Sequence, residues 1–378
     1  MPPRKNQHYV PKHYLRVWAT EGNVQTRPLE IEELFLNSLR TICSRDYFYG
    51  NPPHVEDALG QLEGIHAKPI NKLRNQVDIV NLSQNELRML YSFVTTQRLR
   101  TKSVKEDIED GSEFIREGVR DDLENERYKS FLTWKRELSK DEKEDSLVDA
   151  SILSILYRQI ILGIFGFEAI SDLRTITLHN LTEKEFITSD TPVVMDNHAY
   201  KCQKNLKIAG LSNRGLQIYC PLSPRKCILL LDPIPYQINT NTKGQLLLKD
   251  LNVIDQINLL QVHNANSVLI SKSVSQEYLK CLIDRKAEVR RREAITQTLS
   301  TETNLEEILT RAPRHQIPKI SPKLPKSTSN PYLPHGTRTS SRADKTQTIV
   351  NEIFGKSPGS DVAVIEAIRL FAQMTQTN

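Results

Sequence analysis

Seven side chains have the types and spacing to act on a phosphodiester: His8, Glu56, Glu63, Gln97, Arg100, Ser189 and Asp190. His8 stands between Gln7 and Tyr9, just before Pro11. A neutral imidazole there could bind a metal or serve as a general base near pH 7, or it could bond a carbonyl and pin the N-terminus. Glu56 and Glu63 are two helical turns apart and so share a helix face. If they turn toward Val55, Leu59 and Leu62, they need a cation, a metal or hydrogen-bond donors; if they turn outward, they are ordinary solvated acids. Gln97 and Arg100, three apart, also share a face. An arginine there could clamp a phosphate bidentately, or it could neutralise Glu56 or Glu63 internally. Ser189-Asp190-Thr191-Pro192 ends an apolar run, a common place for functional groups and equally for an Asx-turn that caps its own backbone.

Other routes to chemistry are poorly represented. The chain has no Gly-x-Gly-x-x-Gly, no Gly-x-x-x-x-Gly-Lys, no Gly-x-Ser-x-Gly and no His-Glu-x-x-His. This leaves no standard dinucleotide, P-loop, serine-hydrolase or zincin signature. The five cysteines, Cys43, Cys202, Cys220, Cys227 and Cys281, are odd in number and widely spaced. They suggest neither a disulfide framework nor a zinc ribbon, which leads to the expectation of a reducing, cytoplasmic setting. The N-terminus lacks the apolar centre of a signal peptide. The most apolar stretch, Ile152 to Phe167, is interrupted by Arg158 and Gln159, so no membrane span is expected.

With 378 residues, 38% hydrophobic and 26% charged, the chain has room for a sizeable core. Its net charge of +5 is unevenly placed. Arg311 to Lys345 holds eight basic residues against Asp344 alone, so the rest of the chain is slightly acidic. Six prolines occupy that stretch, which reads as an extended, largely disordered basic linker.

Before the linker, the first fifty residues read as extended and turn structure, with a strand over Tyr14–Ala19 and a turn at Glu21–Asn23 leading to another. Helices are expected over Val55–Asn75, broken or kinked at Pro69, and after the capping box Ser83-x-x-Glu86. The charged region Lys102–Ser146 reads as long solvated helices, and Leu147–Ile170 as the central buried helix. Short strands are expected at Phe186–Thr188, Leu216–Tyr219, Cys227–Leu231 and Ser267–Ile270, with a turn over Pro221–Pro224. Helices are expected at Leu251–Asn264 and Gln276–Thr296, and two more close the chain at Thr348–Phe354 and Asp361–Met374. The expected class is α+β: a mostly helical N-terminal half packed on a small antiparallel sheet, followed by the basic linker and C-terminal helices. The expected divisions are a core over 1–300, a linker over 311–345 and a helical segment over 346–378.

Six boxes in order resemble a bacterial family known as domain of unknown function 4238. They are Gln7-His8-Tyr9-Val10-Pro11 with Tyr14-Leu15-Arg16; Asp46-Tyr47-Phe48-Tyr49; Val55-Glu56 with Glu63; Gln97-x-x-Arg100-Thr101; Phe186 to Val193, containing Ser189-Asp190-Thr191-Pro192; and Tyr219 to Pro224. Lys102 stands where many members have proline. The resemblance runs from Asn6 to about Lys272 and implies no particular reaction.

Two functional expectations follow. In the first, His8, Glu56, Glu63 and Asp190 hold a divalent cation, Mg²⁺ or Mn²⁺, that lowers the pKa of a bound water. Gln97, Arg100 and Ser189 then bind the substrate, and the basic linker adds sequence-independent attraction to nucleic acid. That describes a nuclease of a toxin or phage-defence type. In the second, the same residues form an internal network in a non-catalytic sensor or partner-binding module of a defence system, and the C-terminal helices recruit another protein.

Overall fold

The computed structural model describes residues 5–51, 53–75, 77–124, 140–200, 210–287, 324, 327–329, 336–357 and 359–376. The first strand, β1 (Asn6–His8), pairs antiparallel with β5 (Ser44–Asp46). Between them lie β2 (Ala19–Thr20), β3 (Asn23–Pro28) and β4 (Phe35–Ser38). These join β7 (Thr188–Ser189) and β13 (Val268–Ser271) in a five-stranded sheet, so strands far apart in sequence share it. The main sheet has the order β12-β6-β10-β9-β8: Gln245–Leu248, Arg174–Asn180, Lys226–Leu231, Gln217–Ser223 and Val194–Asp196. It is antiparallel except for the β12–β6 pair. A smaller pair joins β11 (Tyr236–Ile238) to β14 (Ser327–Ser329).

This corrects the expected class. Strands occupy the first fifty residues as well as the middle of the chain, so no mostly helical N-terminal half sits on one small sheet. The main sheet is also buried on both faces. Ile218, Cys220, Leu222, Ile228 and Leu230 join the helical core, whereas Tyr219, Cys227, Leu229 and Leu231 join a second core with Val253, Ile254, Ile257 and Leu260. Double-sided burial explains the unbroken Cys-Ile-Leu-Leu-Leu run of β10.

On the first face lie α2 (His54–Arg74), α3 (Gln84–Leu99) and α6 (Lys140–Phe165). α3 opens on the expected capping box: Ser83 Oγ accepts from Glu86 N, and Glu86 reaches back to Ser83 N. Of the kink or break expected at Pro69, the break does not occur: α2 runs through it, and Pro69 is buried with Leu62, Ile70 and Leu73. Close packing of α3 on α6 requires Gly163, where a Cβ would lie 2.6 Å from Thr96 Cα. Among the described residues, the Asp141–Phe165 part of α6 is long and apolar enough to cross a membrane, with hydropathy 1.6. Half of that window is buried inside the protein.

Several local readings are also corrected. Tyr14–Ala19 is not a strand but a helical turn, α1 (Lys12–Leu15), continued by a 3₁₀ turn over Arg16–Trp18. Tyr14 OH bonds Thr188 Oγ1 at 2.9 Å and donates to Pro221 O at 2.5 Å, and Trp18 Nε1 donates to Phe186 O. These distant partners override the strand preference of aromatic residues. β9 continues through Pro221, beside an irregularity at Lys226/Cys227, so the expected turn begins only after Ser223. In α4 (Lys102–Asp110) and α5 (Ser112–Glu124), the charged faces conceal a buried stripe: Ile115 and Val119 pack with Leu147, Val148, Ile152 and Ile155.

Much of the segment read as a linker, and the second half of the Gln276–Thr296 helix, lie outside the described residues. The described part of the linker segment is ordered. Leu324 is buried in the second core, and Ser327–Ser329 forms a strand. Arg338 is only 3% exposed. After it, α10 (Ala343–Lys356) and α11 (Ser360–Gln376) dock on the body of this chain. Phe371 meets His66, Phe165 and Phe167.

Candidate functional site

Arg100 ends α3 and is 1% exposed. Its Nη2 donates to Glu63 Oε1 and to the His8 carbonyl, both at 2.7 Å, and its Nε donates to Tyr49 OH at 3.2 Å. The guanidinium also lies over the Tyr49 ring. Glu56, on the same helix as Glu63, acts electrostatically on both Arg100 and Tyr49. Three of the expected residues, His8 through its carbonyl, Glu56 and Glu63, thus surround a fourth, the buried cation Arg100.

Neighbouring polar groups secure the strand that carries His8. Gln7 Oε1 accepts from Tyr49 N at 2.5 Å, and Gln7 Nε2 donates to Gly50 O at 3.1 Å. Gly50 adopts φ +88°, and a Cβ there would lie 3.0 Å from Tyr157 OH. Tyr157 OH donates to Tyr49 O. Gln97 Nε2 donates to Tyr9 O at 2.9 Å. The His8 Nε2–H donates to Leu39 O at 3.3 Å. Burial, with Lys12 and Arg100 nearby, holds that imidazole at about 4, so it is neutral at pH 7.

Ser189 and Asp190 belong to a second network, at the meeting of β7 and β13. Asp190 accepts from Asn266 N at 2.9 Å, Ser267 N at 2.8 Å and Ser267 Oγ at 2.6 Å. Burial nevertheless leaves its carboxyl above the ordinary value. Ser189 Oγ donates to Gln261 Oε1 at 3.2 Å and accepts from Thr191 N at 3.2 Å. Asp190 therefore ties the Ser-Asp-Thr-Pro box to the residues before β13. The residues read as one metal set divide between two networks. Among the described residues, no three His, Cys, Asp or Glu side chains are grouped to hold a metal ion.

Two further polar residues, Arg74 and His13, belong to this region. Arg74 donates to Leu222 O, His13 O and Tyr14 O at 2.6, 2.9 and 2.7 Å, joining α2 to the first and last boxes. His13 packs near Phe93, and its Nε2 is buried without a hydrogen-bond partner. Burial, together with Arg74, Arg100 and Arg16, holds it at about 3. A lone histidine and a lone arginine at helix ends carry no spacing signal that could have found them.

These histidines give a pH prediction. His8, His13 and His66 are all held below the ordinary value near 6.5 by burial. Each therefore contributes stability that is fully present above pH ~6.5 and is lost as pH falls toward the folded values, because the unfolded chain takes up protons first. The urea midpoint should drop between pH 7 and pH 5, before most carboxylates titrate, and the drop should be shallower in His13→Gln. Equal midpoints at the two pH values would contradict this.

A family model described as Protein of unknown function (DUF4238) matches residues 6–275, more than two thirds of the chain. Neither the curated proteins nor the solved structures contain a match to this chain.

Proposed function

The chain belongs to the DUF4238 family, and we propose that it is a non-catalytic sensor or partner-binding module whose polar boxes lock the N-terminal segment, the helices and the sheets together. The observation that carries this reading is the internal engagement of the two best-placed functional groups. Arg100 donates to Glu63, His8 and Tyr49, and Asp190 accepts from three donors of one loop. A substrate clamp needs donors aimed at open space, and a base or metal ligand needs a free lone pair. Asp190 and the Arg100 guanidinium, which faces Glu63, the His8 carbonyl and Tyr49, meet structural needs instead.

One observation favours the metal-dependent nuclease of toxin or defence type as a second reading. His8, Glu56, Glu63 and Arg100 do gather, and the Glu63 side chain keeps 23% of its surface exposed. Mg²⁺ or Mn²⁺ would there be held by Glu63 and Glu56.

The test is cleavage of DNA and RNA with Mg²⁺ or Mn²⁺ by the wild type and by Glu56→Ala, Glu63→Ala, His8→Ala and Asp190→Ala, with circular dichroism recorded for each. The lock predicts no metal-dependent cleavage by the wild type and a reduced denaturation midpoint for Asp190→Ala. Wild-type cleavage that disappears in a folded Glu63→Ala protein would overturn the lock in favour of the nuclease.

A further inference from the structure

The hairpin β3–β4 exposes an apolar edge set in acid. β4 pairs with β3 on one side, and among the described residues no strand covers its other side. Leu29 and Leu34 pack partly into the core with Ile187, Leu259, Leu269 and Leu279, which fixes the hairpin on the body. Between and beyond them, Ile31, Phe35 and Leu36 remain 48%, 37% and 77% exposed. Open strand edges are ordinarily blunted by lysine, proline or a covering element. The segment Leu29–Leu39 contains no basic residue and no proline, but it does contain Glu30, Glu32 and Glu33. Glu32 takes Lys280 at 3.0 Å, whereas Glu30 and Glu33 have no cationic partner among the described residues.

We propose that the outer edge of β4 is a docking site for an extended, basic-apolar segment of a partner protein, which adds to the sheet as a further strand. The backbone of β4 supplies the hydrogen bonds, Leu36 meets the apolar face of the incoming strand, and Glu30 and Glu33 meet its lysines or arginines. Charge decides the occupant. Glu30 and Glu33 lack a cationic partner among the described residues and so favour a basic occupant; a second copy paired in parallel would set its glutamates against them, and like charges across paired strands are unfavourable. The inference deepens the partner-binding reading and rests on it.

The probe is a fluorescent peptide of alternating lysine and valine, titrated into the full chain and read by anisotropy at low and high salt. Saturable binding is expected. It should weaken about tenfold or more in Leu36→Lys and in Glu30→Lys/Glu33→Lys, and weaken with salt. A glutamate-valine peptide should not bind. Absent binding, or equal binding of both peptides, overturns the site. So does a wild-type dimer, measured by sedimentation, that Leu36→Lys dissociates. The chain carries three consecutive arginines, Arg290, Arg291 and Arg292; binding that appears only after they are replaced by glutamate also overturns the site, since the chain itself would then fill the edge. Nucleic-acid cleavage is scored separately, so failure of this site and failure of the partner-binding reading are distinguishable.

Discussion

Replacing Arg100 with alanine should lower the unfolding free energy by about 3–5 kcal/mol, the usual cost of breaking a buried ion pair from one side. The substitution removes the donors to Glu63, the His8 carbonyl and Tyr49 at once, and leaves a cavity beside the Tyr49 ring. Glu63 is only partly buried, so water can solvate it after the change, which places the loss toward the lower end of that range. Because His8 lies on β1, the N-terminal strand should loosen before the main sheet. Urea denaturation measures the loss, and hydrogen exchange at Gln7 and Tyr49 locates it. A midpoint within error of the wild type would show that Arg100 is not part of a lock.

The second large effect is expected at Arg338. Its Nε and Nη2 hold Asp172, at 2.9 and 3.1 Å, and it donates to the carbonyls of Asn213, Ala169 and Leu211 at 2.7–2.8 Å. Burial alone would raise the Asp172 carboxyl, but its hydrogen bonds to Arg338 and Ser340 outweigh that and leave it below the ordinary value. This contribution is therefore present above the usual carboxylate range and is lost as pH falls through the lowered value. Arg338→Ala should cost about 3 kcal/mol, because Asp172 and three carbonyls lose their donor together. It should also release α10 and α11 from the body, read as faster tryptic cleavage after Arg342 and Lys345. An unchanged cleavage rate would show that α11 docks through Phe371 and its neighbours alone.

These two arginines mark the boundary of what the sequence discloses. Local rules located the capping box at Ser83 and Glu86, the helix over Leu251–Asn264 and the strand Cys227–Leu231, because each depends on neighbours in the chain. The six family boxes were also readable as a set. Long-range partners were not. Tyr14 forms a helical turn because Thr188 and Pro221 receive its hydroxyl, and neither lies within a hundred and seventy residues of it. Arg338 stands in a proline-rich basic stretch whose composition indicates disorder, yet five contacts bury it. For Arg100 the sequence allowed either a phosphate clamp or an ion pair with Glu56 or Glu63, since spacing along α2 and α3 does not say which faces meet. Ser189 and Asp190 stand at a polar strand end as their sequence implies, but Ser267 reaches Asp190 only because β7 pairs with β13, and Gln261 reaches Ser189 only because the helix Leu251–Asn264 packs beside β7.

The most direct test of the lock is a double-mutant cycle on Arg100→Met and Glu63→Gln, measured by urea denaturation. If Arg100 is engaged internally, the two changes should be non-additive, with a coupling of about 1–3 kcal/mol. Additive effects within error, together with Mn²⁺ binding that Glu63→Gln removes, would contradict the lock and mark the arginine and its neighbouring carboxylates as a site for an external ligand.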